Sequence, residues 1–173
     1  MTTERSPRVE LVQLDRETLR ALADGDLAAA EAGAPVPLSP YLAGPECRPV
    51  WDIRAVQVVV DPPSADWVTR VVWDPERRLA VGRAGFHGPP DGDGMVEVGY
   101  SIDPDHRRQG YARAALRALI AWAADAPGVS VVRASVSPEN TPSLNLVRAH
   151  GFVAVGEQVD EEDGLEIIHE RRP

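Results

Sequence analysis

Two hydrophobic periods alternate along the chain. From Met95 to Ile102, Val96, Val98, Tyr100 and Ile102 fall on one side, and Glu97, Gly99 and Ser101 on the other. A period of two belongs to a strand with one face on a core. From Gly110 to Asp125 the period changes: Leu116, Leu119, Ile120 and Ala123 recur at i, i+3, i+4 and i+7, which predicts an amphipathic helix. Val9–Leu14 reads as a first strand. The stretch DRETLRALADGDLAAAEAGA predicts two short helices broken at Gly25, with Asp15 or Asp26 placed to cap them. Pro35, Pro37, Pro40, Pro45 and Pro49 exclude regular helix over 33–50. That span is an irregular connection that could cover a substrate cleft, and structure resumes near Trp51.

After a break at Asp61-Pro62-Pro63-Ser64, Val68–Trp73 and Leu79–Phe86 read as strands joined by the turn Asp74–Arg77. The Gly- and Pro-rich loop His87–Gly94 leads to the strand Met95–Ile102. Val129–Val136 is a strand rich in β-branched residues. Pro142–His150 is a short helix closed by Gly151, and Phe152–Val159 with Leu165–Glu170 makes a last hairpin. Strands joined by short turns pair antiparallel, whereas strand–helix–strand over 95–136 calls for a right-handed parallel crossover. The expected fold is α/β (α+β), a mixed sheet with helices packed on it.

Length changes this picture little: 173 residues fit one domain, 1–173, with residues 1–60 as strand, helices and Pro-rich connection and 61–173 as the core. There is no run of 18 apolar residues, so no membrane-spanning helix is expected. The polar start MTTERSPRVE is no secretory signal. Cys47, the single cysteine, cannot close an internal disulfide and reads as a small buried residue. A cytoplasmic protein without a membrane partner is the expectation. The net charge of −9 disfavours nucleic-acid binding and would steer a cationic molecule inward. His87, His106, His150 and His169 share no ligand spacing, so no metal is expected, and a surface place is expected for His169.

One segment reverses the sign of the chain. From His106 to Ala124 there is no acidic residue, yet Arg107, Arg108, Arg113 and Arg117 lie there. They flank a loop that ends at a predicted helix start, where unpaired N–H groups and the helix dipole favour an anion. Gly110 would let backbone approach it. The same pattern is also consistent with a turn glycine and a solvated basic face.

Arg107-Arg108-Gln109-Gly110-Tyr111-Ala112 resembles the Arg/Gln-x-x-Gly-x-Gly/Ala signature of the GCN5-related N-acetyltransferase (GNAT) superfamily. Val98–Pro104 is similar to that family's fourth strand and its exit. Asn140–Leu146 and His150-Gly151-Phe152 resemble its second cofactor-side element. The resemblance spans about residues 60–172 and is greatest to the ribosomal-protein and N-terminal acetyltransferase (RimJ/RimL-type) branch. It implies a mixed, mostly antiparallel seven-stranded sheet with flanking helices and splayed central strands. It implies acetyl-CoA as co-substrate and a small-molecule or peptide amine as acceptor, and it admits a homodimer. Main-chain contacts to the pantetheine arm would fall on Ile102, Asp103 and Pro104. Pyrophosphate would sit on Arg107, Arg108, Gln109, Gly110, Tyr111 and Ala112. Asn140 would face the arm or cap its helix. Ser143 would contact the arm or the sulfur, and as a catalytic residue would hydrogen-bond the thiolate, or it would only cap. Glu97 would be the base, acting directly or through a water. The tyrosine that many relatives place after the leucine of the second motif is here Val147, so a tyrosine acid is in doubt. A module that binds acyl-CoA or CoA without transferring is the alternative.

Overall fold

Regular structure begins with β1 (Glu10–Val12), α1 (Arg16–Asp24), α2 (Leu27–Gly33) and α3 (Arg48–Val60) in a computed structural model that describes residues 6–173. Then come β2 (Arg70–Asp74), β3 (Leu79–Phe86), β4 (Met95–Ile102), α4 (Tyr111–Asp125), β5 (Val131–Val136), α5 (Thr141–Ala149), β6 (Val153–Asp160) and β7 (Gly164–Arg171). The strands form one seven-stranded sheet in the order β1-β2-β3-β4-β5-β7-β6. β1–β2, β2–β3, β5–β7 and β6–β7 pair antiparallel, and β4–β5 pairs parallel. This is the mixed sheet that the pattern predicts, and the mostly antiparallel, seven-stranded one that the resemblance implies. Residues 1–5 of the expected domain lie outside the described residues.

The local signals act where they stand. Both aspartates cap: Asp15 Oδ1 accepts from Thr18 N at 2.8 Å, and Asp26 Oδ1 from Ala29 N at 3.0 Å. Each satisfies an N–H that the first helical turn leaves without an acceptor. Gly25 ends α1 at φ 75°, in the left-handed region. α3 is the element that the hydrophobic pattern does not announce. Its sequence, RPVWDIRAVQVVV, is rich in β-branched residues, which favour strands. Pro49 sits in its first turn, the one place where a helix tolerates proline, so the Pro-rich connection gives way to helix at Arg48.

The chain packs as two compact units. The first runs to Pro89 and includes Gly99–Leu119. Its core holds Leu19 and Leu22 of α1, Leu42, Cys47, Trp51 and Val58, with Val71 and Trp73 of β2. Trp51 is fully buried and donates from Nε1 to Leu42 O at 2.7 Å, which ties the irregular connection to α3. The second unit is Pro90–Val98 with Ile120–Pro173. Val132, Ala134 and Val136 of β5 are buried, as are Leu144 and Val147 of α5 and Phe152. His169 is buried too, against the expectation of a surface place. β7 has a strand on each side, and the register neighbours of His169 are Ala134 and Ala154. Two alanines leave room for an imidazole. No helix among the described residues is long and apolar enough to cross a membrane.

Candidate functional site

The basic loop is built on the end of β4. Asp103 N donates to Val81 O at 2.9 Å, and the Asp103 carboxylate caps a single 3₁₀ turn, Pro104–His106, by accepting from Asp105 N at 3.0 Å. Arg107 folds back: its Nε donates to Ile102 O at 2.9 Å. The Asp103 carbonyl accepts from His106 N at 2.8 Å, and the Pro104 carbonyl from Arg107 N at 3.3 Å. Much of the main-chain bonding capacity of Ile102, Asp103 and Pro104 is therefore used within the loop.

Two residues of the loop have positive φ, Arg108 at 60° and Gly110 at 88°. At Gly110 this suits glycine, and a Cβ there would meet Pro7 Cδ at 3.0 Å. At Arg108 it is a strained conformation for a side-chain-bearing residue. Ala114 N bonds to Gly110 O at 3.0 Å, so in helical geometry the N–H groups of Tyr111, Ala112 and Arg113 have no acceptor in their own helix. Arg108, Arg113 and Arg117 are exposed, and among the described residues none lies within salt-bridge distance of a carboxylate. Arg107 Nη2 is 3.9 Å from Glu46 Oε2.

Tyr111 and Gln109 hold the loop in place through their side chains. The Tyr111 ring is buried and its hydroxyl donates to Asp74 Oδ2 at 2.7 Å. Arg77 Nη1 donates to Gln109 Oε1 at 3.0 Å and to Tyr111 Oη at 3.2 Å. Asp74 also accepts from the N–H groups of Glu76 and Arg77, each at 2.9 Å. Burial favours the neutral form of Asp74, but its hydrogen bonds from Arg77 N, Tyr111 and Glu76 N outweigh that, and its pKa lies below the ordinary carboxylate value. Burial, then the bond to Asp74, raises that of Tyr111.

Glu97 and the residues of α5 belong to the second unit. The β4–β5 ladder pairs Met95 with Val131, Val96 with Val132 and Glu97 with Arg133, and ends there, while β5 runs on to Val136. Glu97 is half-buried and accepts from Ser135 Oγ at 2.6 Å. The guanidinium of its register partner, Arg133, grips Glu170 Oε1 at 2.6 and 2.9 Å. Asn140 caps α5, its Oδ1 accepting from Ser143 N at 3.2 Å. The Ser143 side chain is half-buried and carries no hydrogen bond among the described residues, so its hydroxyl is available. Val147 is fully buried, and this position presents no side chain to solvent.

A family model described as an acetyltransferase (GNAT) domain matches residues 9–153. The chain belongs to this family. A curated relative, an uncharacterized N-acetyltransferase, YjdG of Bacillus subtilis, is 38% identical over 73 residues, 42% of this GNAT chain and 44% of the relative. The alignments to curated relatives span about half of those proteins' length. Among solved structures, a protein described as a ribosomal-protein-serine acetyltransferase of Vibrio cholerae superposes with a TM-score of 0.64 at 20% identity, over 100% of both chains. A ribosomal L7/L12 α-N-protein acetyltransferase solved with coenzyme A superposes with a TM-score of 0.65 at 15% identity, over 95% of this chain and 94% of that one. These likenesses are of fold.

Three features of this GNAT chain escape the sequence reading. They are the Ser135–Glu97 bond, the Tyr111–Asp74 bond and the return of Arg107 to Ile102. Each joins residues through tertiary register or side-chain reach, and no local pattern signals it.

Proposed function

We propose that this GNAT chain transfers the acetyl group of acetyl-CoA to a primary amine on a small molecule or peptide. The observation that carries the reading is the loop before α4, where positive φ at Arg108 and Gly110, N–H groups left open by the helix start and exposed arginines converge. A pyrophosphate fits that combination of backbone donors and unpaired cations. Arg107, Arg108, Gly110 and Ala112 would hold it, while Gln109 and Tyr111 keep the loop in shape through Arg77 and Asp74. Ile102, Asp103 and Pro104 would meet the pantetheine arm with what bonding capacity the loop leaves them.

In the reaction a neutral amine nitrogen attacks the thioester carbonyl. Glu97, oriented by Ser135, takes the proton directly or through a water. The carbon–sulfur bond breaks and CoA leaves as a thiolate, which Ser143 would stabilise by a hydrogen bond and which takes its proton from water. Asn140 serves as the cap that fixes the start of α5 and so the place of Ser143.

Calorimetric titration with acetyl-CoA tests the reading, beside the double variant Arg108→Glu, Gly110→Glu. Binding by the parent alone, followed by release of free thiol with an amine, is the expected result. Absence of binding by the parent overturns it. A second reading has one specific observation behind it. Val147 is buried at the position of the usual tyrosine acid, which suits a module that binds acyl-CoA or CoA without transferring. Binding without thiol release across a broad amine panel would favour that module.

A further inference from the structure

The period of two along β4 puts Gly99 and Ser101 on the same side of the strand as Glu97. Each of the two has a side chain from another segment against it. A Cβ built on Gly99 would lie 3.1 Å from Nε2 of His87, so the imidazole edge stands over the strand where this glycine leaves room. Ser101 Oγ lies 2.6 Å from Tyr41 Oη, which comes from the Pro-rich connection. His87 follows the last residue of β3, and Tyr41 precedes α3. Two separate segments therefore converge on neighbouring positions of one strand face.

His87 is exposed, so a ligand in solution can reach its ring, yet its backbone is held from two sides. Phe86 N, just before it, donates to Trp67 O at 3.0 Å. The His87 carbonyl accepts from Gln57 Nε2 at 2.8 Å and from Arg54 Nη1 at 3.2 Å. Arg54 is only 9% exposed, and its Nε donates to Thr69 Oγ1 at 3.2 Å. Taking a guanidinium out of water is unfavourable. Here it fixes the main chain at the residue that carries the imidazole.

The transfer reaction has a task for such a group. A primary alkylamine is an ammonium ion at neutral pH and has no lone pair with which to attack. On the way to an amide its nitrogen loses two protons, one before attack and one after the carbon–nitrogen bond forms. Glu97 serves the second loss. Imidazole suits the first, because with an ordinary pKa of about 6.5 it accepts a proton near neutral pH and gives it up to water readily.

We propose that His87 removes the first proton of the acceptor. An N–H bond of the ammonium breaks, its electron pair stays on the amine nitrogen, and the proton passes to Nε2 and then to water. The inference rests on the acetyl-transfer reading and adds a step to it. The charged and titratable groups on the elements around the ring are Arg54 of α3, Tyr41 of the connection, Glu97 of β4, and Arg83, four residues back on the same side of β3 by its period.

The test follows CoA release with benzylamine, putrescine and Ala-Ala-Ala-amide from about pH 6.5 to about 9.5, for the parent, His87→Gln and His87→Ala. Melting temperature and acetyl-CoA affinity are measured on all three chains and are expected to hold. At neutral pH both variants should lose about 10²-fold in kcat/KM. The loss should shrink to severalfold at the alkaline end, where solvent supplies the neutral amine. Added imidazole should restore His87→Ala at neutral pH. A loss of the same size at every pH would mark a structural role and overturn the inference, as would unchanged rates in both variants at neutral pH. A parent chain that fails to bind acetyl-CoA, or binds it and releases no CoA with any of the amines, would instead remove the transfer reading, and this inference with it.

Discussion

The hydroxyl of Tyr111, at the first position of α4, donates a 2.7 Å hydrogen bond to Asp74 at the end of β2. Both residues are buried, and the same carboxylate closes the β2–β3 turn through the N–H groups of Glu76 and Arg77. The bond ties the start of α4 to a rigid strand end. An anion held at that helix start would inherit the rigidity.

Tyr111→Phe removes this bond and leaves a buried carboxylate short of a donor. Stability should fall by about 1–3 kcal/mol, read from denaturant unfolding. Acetyl-CoA affinity should fall severalfold at a temperature where the variant is still folded. Unchanged affinity would separate the anchor from the proposed cradle.

The same pair sets a pH dependence with a definite sign. The pKa of Asp74 is lower in the folded chain than its ordinary 3.8, so its contribution is present above that value and is lost as pH falls through the lowered one. The pKa of Tyr111 is raised above 10.0, so its contribution is full below pH 10.0 and is lost as pH rises through the raised value. Urea unfolding over a pH series should show the alkaline loss in the parent chain and a reduced loss in Tyr111→Phe.

Arg108→Gly tests strain against charge at one position. Glycine accepts φ 60° freely, so the melting temperature should hold or rise. Acetyl-CoA affinity should nevertheless fall by about tenfold, because a charge-assisted contact is lost. Gly110→Ala should behave oppositely in stability. Its φ of 88° and the nearby Pro7 make any side chain unfavourable, by about 1 kcal/mol or more on thermal unfolding.

Glu97→Gln keeps the shape of the side chain and removes the proposed base. With acetyl-CoA affinity unchanged, kcat should fall by about 10²–10⁴-fold. Ser135→Ala should give a smaller loss, since it frees the orientation of Glu97 and leaves the carboxylate. Full activity in Glu97→Gln would assign proton removal to another group.

The sequence by itself determined the elements whose signals are local. Alternation at period two places β4 with the observed bounds, Met95–Ile102, and the turn at Asp74–Arg77 with the Gly- and Pro-rich loop after it bracket β3 at Leu79–Phe86. Asp15, Asp26 and Asn140 cap helices because a cap needs only the N–H three residues on. The basic loop was legible for the same reason: a sign reversal and a glycine at a helix start are features of contiguous residues. What only the tertiary structure decided lies between distant residues. α3 is a helix although its β-branched side chains favour a strand, because Trp51, Ala55 and Val58 fall on one helical face and pack in a common core. His169 is buried because its strand acquired a neighbour on each side. Ser135 meets Glu97, and Arg54 meets Thr69 and His87, through sheet register and helix packing. No periodicity carries such pairings, since they depend on where separate elements come to rest. They orient the proposed base and hold Arg54 in the interior.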